Sequence, residues 1–465
     1  MTLSLQLGIL ASAVTALRVL TLYLSPTDLF FDEAQYWLWG QTLDFGYYSK
    51  PPMIAWLIRA VTELAGSIEP FWVRLAAPIL HGVTGFVLGL WVGTIHRPAA
   101  IWTTAIYLSM PIVAVGSWMI STDTVMAPFF ALALWAWWRH LQSKGNVSGV
   151  MAGLCIGLAM MSKYAAIYFW AGTVIVALVF GQRPTLRGAL LALAGFLIAI
   201  MPNLLWNFAN NLSTLDHTMD NADWVREGNE VAYNWSGLLE FLGSQIFVIG
   251  PVFFFVWLAA LVRRSDKTIR WLLAFSIPVL LVVCAQAFLS KAYANWAFAA
   301  YLTAVPLVAL ALTMRGERGL LWSGLGINVA LCLIVSALIV VPSLAPRVTD
   351  RYVGRAEMMS QIIDAAAGRT IVASHRHLLA DLFYTRALTG AGSEIFSIPP
   401  EGRAKNFYAQ THPWPAASPA VFVGRSAPVC NGRLVEPEID FDAVPGAYGD
   451  WVLAAYPIEP DCDLP

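Results

Sequence analysis

Charge is what this chain has least of. Only 12% of its 465 residues are Asp, Glu, Lys or Arg, against 58% hydrophobic. Soluble domains carry about 25% charge, so a water-soluble globule is excluded and an integral membrane protein is the default class. The charges present nearly cancel, to a net −1. No basic excess exists to neutralise phosphates, which excludes a nucleic-acid partner. Cysteine is also scarce, and the five present have no metal-type spacing. Cys155, Cys284 and Cys332 lie in apolar stretches and read as packing residues. Cys430 and Cys462 are the two in the polar C-terminal part, where an oxidising compartment would let them pair. Internal repeats and low-complexity segments are lacking too.

Long apolar runs are abundant. A membrane span needs roughly 20 apolar residues, and eleven stretches are candidates: 3–24, 71–95, 98–119, 124–141, 147–162, 164–181, 188–206, 237–262, 271–289, 293–313 and 319–341. The first lacks a charged leader and a small-residue cleavage site, so it reads as an uncleaved anchor. Loop charge gives an orientation. With the N-terminus inside, the inside loops hold Arg97, Arg139, Lys144, Arg183, Arg187, Arg263, Arg264, Lys267, Arg270, Arg315 and Arg318, against only Asp266 and Glu317. Basic inside loops are what the positive-inside rule requires. The outer face then receives 25–70, 207–236, the turns at Ser121–Asp123, Ser162–Tyr164 and Ser290–Tyr293, and the tail from 342.

The expected fold class is therefore mainly α: a polytopic membrane protein of about eleven transmembrane helices. Two stretches of the first outer loop, "DEAQYWLWGQ" and "PPMIAWLIRAVTEL", have helical apolar spacing that suits interfacial helices. Residues 1–341 form the transmembrane domain, with outer loop 25–70, and 342–465 a small extracytoplasmic α/β domain. In the latter "RTIVASHRHLLADLFYTRAL" reads as a strand and then a helix, and "PAVFVGR" and "DWVLAAYPI" as further strands.

The candidate functional residues gather on the outer face. Asp32 and Glu33 open "FDEAQYWLWGQTLDFGYYSKPP", which also holds Tyr36, Tyr47, Tyr48 and Lys50. Adjacent acids suit a helix N-terminus; they equally suit a carboxylate poised to take a proton or bind a metal. Asp123 in "STDTVMAPFF" caps a helix on one reading, yet an acid so near hydrocarbon is a functional candidate. Lys163 in "GLAMMSKYAAIY" runs against the charge bias; it either snorkels or meets a phosphate. Lys50 and Lys291 are similarly placed, so three lysines could surround one anion. Arg18 and Arg74 read as structural, snorkelling or pairing with an acid. His217 is a candidate metal or substrate contact, with His375 and His377 ranked lower. Trp206, Asn207, Asn295 and Trp296 close apolar spans as an interface belt or a groove lining.

Taken together, "DEAQYWLW", "GYYSKPPMIAWLI", "STDTVMAPFF", "GLAMMSKYAAIY", "NLLWN" and "ANWAFAAY" resemble, in order, the polyprenyl-phosphate-sugar-dependent glycosyltransferases of the GT-C superfold. The likeness points to the bacterial branch with aminoarabinose transferase and relatives of protein O-mannosyltransferases. The resemblance implies that Asp32 is the catalytic acid and Asp123 the second acidic position, with Glu33 beside them. It implies that Lys50 and Lys163 hold the donor phosphate and that Tyr36, Tyr47 and Tyr48 line the substrate. Ser49 stands where some relatives carry a carboxylate or aromatic, so no metal ligand is carried to that position. No cofactor is fixed; a divalent metal stays open, with Asp32, Asp123 and His217 as candidate ligands. The implied reaction is inverting transfer of a sugar from polyprenyl phosphate to lipid A, another glycolipid or a polysaccharide, on the outer face of a bacterial inner membrane. Protein O-glycosylation competes within the enzyme class. A lipid-sugar flippase is the rival outside it; it would be expected to place charges mid-span and to show repeats. A structural assembly protein is a third reading.

Overall fold

The computed structural model describes residues 1–214, 233–262 and 266–465. His217, Arg263 and Arg264 lie outside the described residues. The chain divides into two compact units. The first comprises Met1–Leu22, Asp44–Ile54 and Arg74–Ser336; the second comprises Tyr23–Leu43, Ala55–Val73 and Ala337–Pro465.

Each of the eleven apolar stretches, which lie wholly or mostly in the first unit, forms a helix or a pair of helices. Among the described residues six are long and apolar enough to cross a membrane, or eight if each of two bent pairs is one span. The helix Phe298–Met314 is the core. The apolar stretch that contains it, Ala294–Met314, is almost wholly buried, whereas Leu3–Tyr23 and Arg318–Val340 are largely exposed. Ala299, Ala300, Ala304 and Ala309 keep the core helix slim, so its neighbours approach closely. The outer helices expose apolar side chains such as Leu17, Leu20, Leu333 and Ile334, a surface that suits lipid.

Glycine sets the closest helix pair. Gly149, Gly153 and Gly157 recur every fourth residue along Asn146–Ser162. A Cβ on Gly153 would stand 1.9 Å from the Ala192 carbonyl oxygen, and one on Gly157 2.9 Å from that of Phe196. Asn146–Ser162 and Leu186–Ala209 therefore meet backbone to backbone, the small-residue packing of membrane helices. Gly153→Ala is expected to cost about 1–3 kcal/mol by overpacking, read as a lower Tm in detergent. An unchanged Tm would show that the pair separates freely.

Proline breaks two of the apolar stretches. The run 98–119 splits into Arg97–Leu108 and Pro111–Trp118, bent by 56°, because Pro111 lacks an N–H and crowds the preceding turn. Arg18 neither snorkels nor pairs with an acid: it donates to the Leu108 carbonyl at this break and to Ser117 Oγ at 3.1 Å. A broken helix in a membrane needs such a partner. Arg74 is buried, its guanidinium 5.4 Å from the centre of the Trp118 ring. The run 237–262, read above as one span, turns by 110° between Trp235–Ile249 and Pro251–Val262. Gly250 takes φ +96° there, and Asn328 Nδ2 donates to the Ile249 carbonyl at 2.9 Å.

The second unit is built on a five-stranded sheet in the order β2-β1-β3-β7-β6. β1 (Ile371–Ala373) runs parallel to β2 (Ile395–Ser397) and β3 (Ala420–Gly424), while β7 (Ala454–Ile458) is antiparallel to β3 and to β6 (Ile439–Asp440). The helix Arg376–Thr389 follows β1 directly, so the strand-then-helix pattern of "RTIVASHRHLLADLFYTRAL" is where the sequence places it. β4 (Val429–Cys430) and β5 (Arg433–Leu434) form a separate two-stranded antiparallel ribbon, and a disulfide joins Cys430 to Cys462.

The helix Phe31–Gly40 packs on Arg376–Thr389. Trp37 meets Tyr384 edge-on at 5.3 Å, and His377 stacks on Phe31 at 3.7 Å. Arg59 Nη1 donates to the Gly40 and Gln41 carbonyls and so ties the end of that helix to Met53–Ala65. Deeper down, Asp381 is buried between Arg355 and Tyr448, each donating at 2.6 Å.

Candidate functional site

Three segments of the first unit meet at Asp123. Ser121 caps the helix Thr122–Ser143 by accepting from the Thr124 N–H, which puts Asp123 in its first turn. Lys163 ends Asn146–Ser162 in an extended conformation. Its Nζ donates to both Asp123 oxygens at 2.7 Å, and Asn295 Nδ2 donates to Oδ2 at 2.9 Å. The side chains of Lys163 and Asp123 are 18% and 8% exposed. Two charges expected to act separately thus form one nearly buried pair. Lys291, the third lysine expected near an anion, is exposed and has no ion pair among the described residues.

The "NLLWN" end of Leu186–Ala209 gathers two more expected segments. Asn203 Nδ2 donates to the Phe45 carbonyl at 2.7 Å, and its Oδ1 accepts from Tyr164 at 2.8 Å. Asn207 Nδ2 reaches the same Tyr164 hydroxyl at 3.3 Å. Trp206 lies flat on Gly46, where a Cβ would meet its ring at 2.3 Å; only glycine fits there. The turn carrying Tyr47, Tyr48 and Lys50 is therefore held on the helix that also holds Tyr164, the neighbour of Lys163. Tyr47 is buried; its hydroxyl accepts from the Asp44 N–H at 3.3 Å, and its carbonyl accepts from Thr214 at 3.0 Å. Tyr48 and Lys50 are half-buried. Trp206 and Asn207, read above as belt or groove, do the joining.

Asp32, Glu33 and Tyr36 belong to the second unit. The two acids have separate environments. Glu33 is 1% exposed and accepts from the Phe30 N–H at 3.0 Å, the reciprocal half of a capping box. Asp32 is half-buried and accepts from Arg376 Nη2 through Oδ1. Its Oδ2 makes no hydrogen bond among the described residues. Tyr36 is buried against Trp39, with ring centres 5.3 Å apart. Of the adjacent pair, then, Asp32 is the accessible acid and Glu33 the buried one.

Arg376 is the residue that sequence reasoning missed. Nε donates to Gln35 Oε1 at 2.8 Å, and the guanidinium lies 4.9 Å over the Phe31 ring. Burial alone would lower its pKa, but the Asp32 charge and hydrogen bond, with weaker help from Tyr408 and Tyr36, hold it above its ordinary value. The one signal available was a basic residue where a helix begins straight after a strand.

His375 and His377 flank Arg376. Burial, then the charges of His375, Arg355 and Arg376, push the His377 imidazole down to about 4, against a pull from Asp32. Neutral imidazole is thus favoured in the folded state. The stability it contributes is full above its ordinary 6.5 and is lost as pH falls through about 4. Asp381 has the opposite sense: burial pushes it up to about 6 against Arg355 and Tyr448, so its contribution is full below 3.8 and lost as pH rises through about 6. His377→Phe keeps a ring against Phe31 and is expected to flatten the fall in Tm between pH 6.5 and 4. An unchanged acid limb would assign that sensitivity to another group.

Among the described residues no three His, Cys, Asp or Glu side chains are grouped to hold a metal ion. Asp32 is engaged by a guanidinium and Asp123 by a lysine and an amide. That donor set does not fit a divalent ion, so no step is derived through one.

Residues 49–206 match the family model for dolichyl-phosphate-mannose-protein mannosyltransferase. The chain is similar to the lipid A galacturonosyltransferase RgtD of Rhizobium johnstonii, 36% identical over 97% of both chains. Its fold is similar to that of ArnT from Cupriavidus metallidurans, in the apo state (TM-score 0.67) and bound to undecaprenyl phosphate (TM-score 0.69). Those likenesses are at 14% identity and cover 97% of each chain. With a relative of that identity along nearly its whole length and an ArnT-like GT-C fold, the chain belongs to the family of membrane glycosyltransferases that contains the lipid A galacturonosyltransferase.

Proposed function

We propose that this chain transfers a uronosyl group, galacturonosyl in the first instance, from a polyprenyl-phosphate donor to a hydroxyl of lipid A. The observation that carries the reading is the 36% identity to a lipid A galacturonosyltransferase along 97% of the chain. The acceptor oxygen attacks the anomeric carbon. The bond from that carbon to the phosphate oxygen breaks, and its electron pair leaves with the lipid phosphate. The acceptor proton passes to Asp32, whose unbonded Oδ2 supports a role as general base. Attack opposite the leaving group inverts the anomeric centre. Lys50 and Lys163 stabilise the charge that grows on the leaving phosphate, where a low-dielectric setting gives cations their largest effect. Asp123 and Asn295 fix the Lys163 ammonium, and Tyr36, Tyr47 and Tyr48 contact substrate.

The membrane arrangement is part of the proposal: eleven spans, N-terminus inside, tail outside. The basic inside loops support it. So does the Cys430–Cys462 disulfide, since such bonds persist in oxidising compartments. The site and the tail then face the extracytoplasmic side of a bacterial inner membrane.

The test is transfer by the purified chain from polyprenyl phosphate carrying radiolabelled galacturonate. Labelled lipid A and free polyprenyl phosphate are expected in equal amounts. Donor that crosses a liposome membrane unbroken would support the flippase instead, and label on protein would support O-glycosylation.

A further inference from the structure

We infer that Arg376 forms a carboxylate subsite that reads the acid group of the donor sugar and so sets its specificity. The inference rests on the uronosyl-transfer reading above. A guanidinium has two hydrogen-bonding edges. In Arg376 the side edge is committed, Nε to Gln35 at 2.8 Å and Nη2 to Asp32. Nη1 makes no hydrogen bond among the described residues, and the side chain is 36% exposed. The end edge, with one Nη1 hydrogen and the second Nη2 hydrogen, is therefore presented beside the reacting acid.

The surrounding side chains hold that edge still. Gln35 is 1% exposed, and its side-chain carbonyl faces Nε. Phe31 lies 4.9 Å from the guanidinium carbon and itself stacks on His377. A planar fork fixed in this way matches a carboxylate bidentately, which a lysine in its place could not do. Tyr408, wholly buried, keeps its hydroxyl without a partner among the described residues and is near enough to act on the Arg376 charge.

The same edge explains how a neutral sugar is refused. A hexosyl donor has a hydroxymethyl group where the uronosyl donor has its carboxylate. It would cover the charged edge without pairing it, and sites built for a polar group reject analogues that lack it by large factors. Arg376 also orients Asp32, so its loss slows any donor; selectivity separates the two effects.

The experiment is competition in one reaction between polyprenyl phosphate-galacturonate and polyprenyl phosphate-galactose, scored as the ratio of the two lipid A products. That ratio does not depend on how much enzyme is folded. Wild type is expected to favour the uronosyl product strongly. Arg376→Gln should lower the ratio about 10- to 100-fold, the worth of a charged hydrogen bond to a carboxylate; Arg376→Lys should restore only part of it. Asp32→Glu should slow both products and leave the ratio as in wild type. If Arg376→Gln slows both donors equally, the carboxylate subsite is wrong and Arg376 acts only through Asp32. If wild type makes galactosyl product and no uronosyl product, the uronosyl reading itself fails, and the subsite with it.

Discussion

Asp32→Asn is expected to lower turnover by about 10²–10⁴-fold, the usual contribution of a positioned general base, while the protein folds and inserts normally. The two halves of that expectation have separate grounds. An amide cannot take the acceptor proton, so on the proposed role of Asp32 the chemical step loses its base. The fold has little at stake, because the Asp32–Arg376 pair is more than one-third exposed on both sides, and pairs of that kind contribute about 0–1 kcal/mol. Asn also keeps an oxygen for Arg376 to donate to. The measurement is single-turnover transfer in proteoliposomes, with Tm taken on the same preparation. Turnover within threefold of wild type would remove Asp32 from the chemistry. A large fall in Tm would show that the loss came from the fold.

Replacement of Lys163 should have the second large effect, and its pairing with Asp123 changes how that effect must be read. On the proposed role, Lys163→Ala removes a charged contact to phosphate, which alone is worth roughly tenfold to a hundredfold in donor kcat/KM. It also strands Asp123, only 8% exposed on its side chain, as a buried acid without its cation. Breaking a buried pair from one side costs about 3–5 kcal/mol. The single variant is therefore expected to lose both activity and stability. The double variant Lys163→Met with Asp123→Asn removes both charges and should recover most of the stability. If Lys163 touches the phosphate, the double variant stays slow toward the donor. If Lys163 serves only to neutralise Asp123, activity returns with Tm, and the phosphate role passes to Lys50 alone.

Both sites show what a sequence can and cannot say. The apolar stretches were legible because a helix in lipid must be apolar over its length, and each of the eleven is a helix or helix pair. The tail's strand-helix order was legible for a similar local reason, with "RTIVASHRH" passing from β1 into the Arg376–Thr389 helix. Bends were harder. Pro111 announced its break, but Gly250–Pro251 was hidden in a run that is apolar on both sides, and apolarity carries no direction. Glu33 illustrates an ambiguity the sequence left open: helix cap and reactive acid look alike until burial separates them. Asp123 and Lys163 were each visible as misplaced charges. Their pairing was not, since 40 residues separate them in the chain. Arg376 offered only its place at a helix start. It lies 344 residues from Asp32, in a tail that offered no motif to match, and one arginine at a helix start has no spacing rule to betray a partner.

The central claim, uronosyl transfer to lipid A, is tested most directly by mass spectrometry of lipid A from cells that carry the gene, lack it, or carry it as Asp32→Asn. The account predicts a lipid A species heavier by one uronic acid residue in the first strain and its absence from the other two. Lipid A of identical mass in all three strains, with the protein present in the membrane of the first, would contradict it.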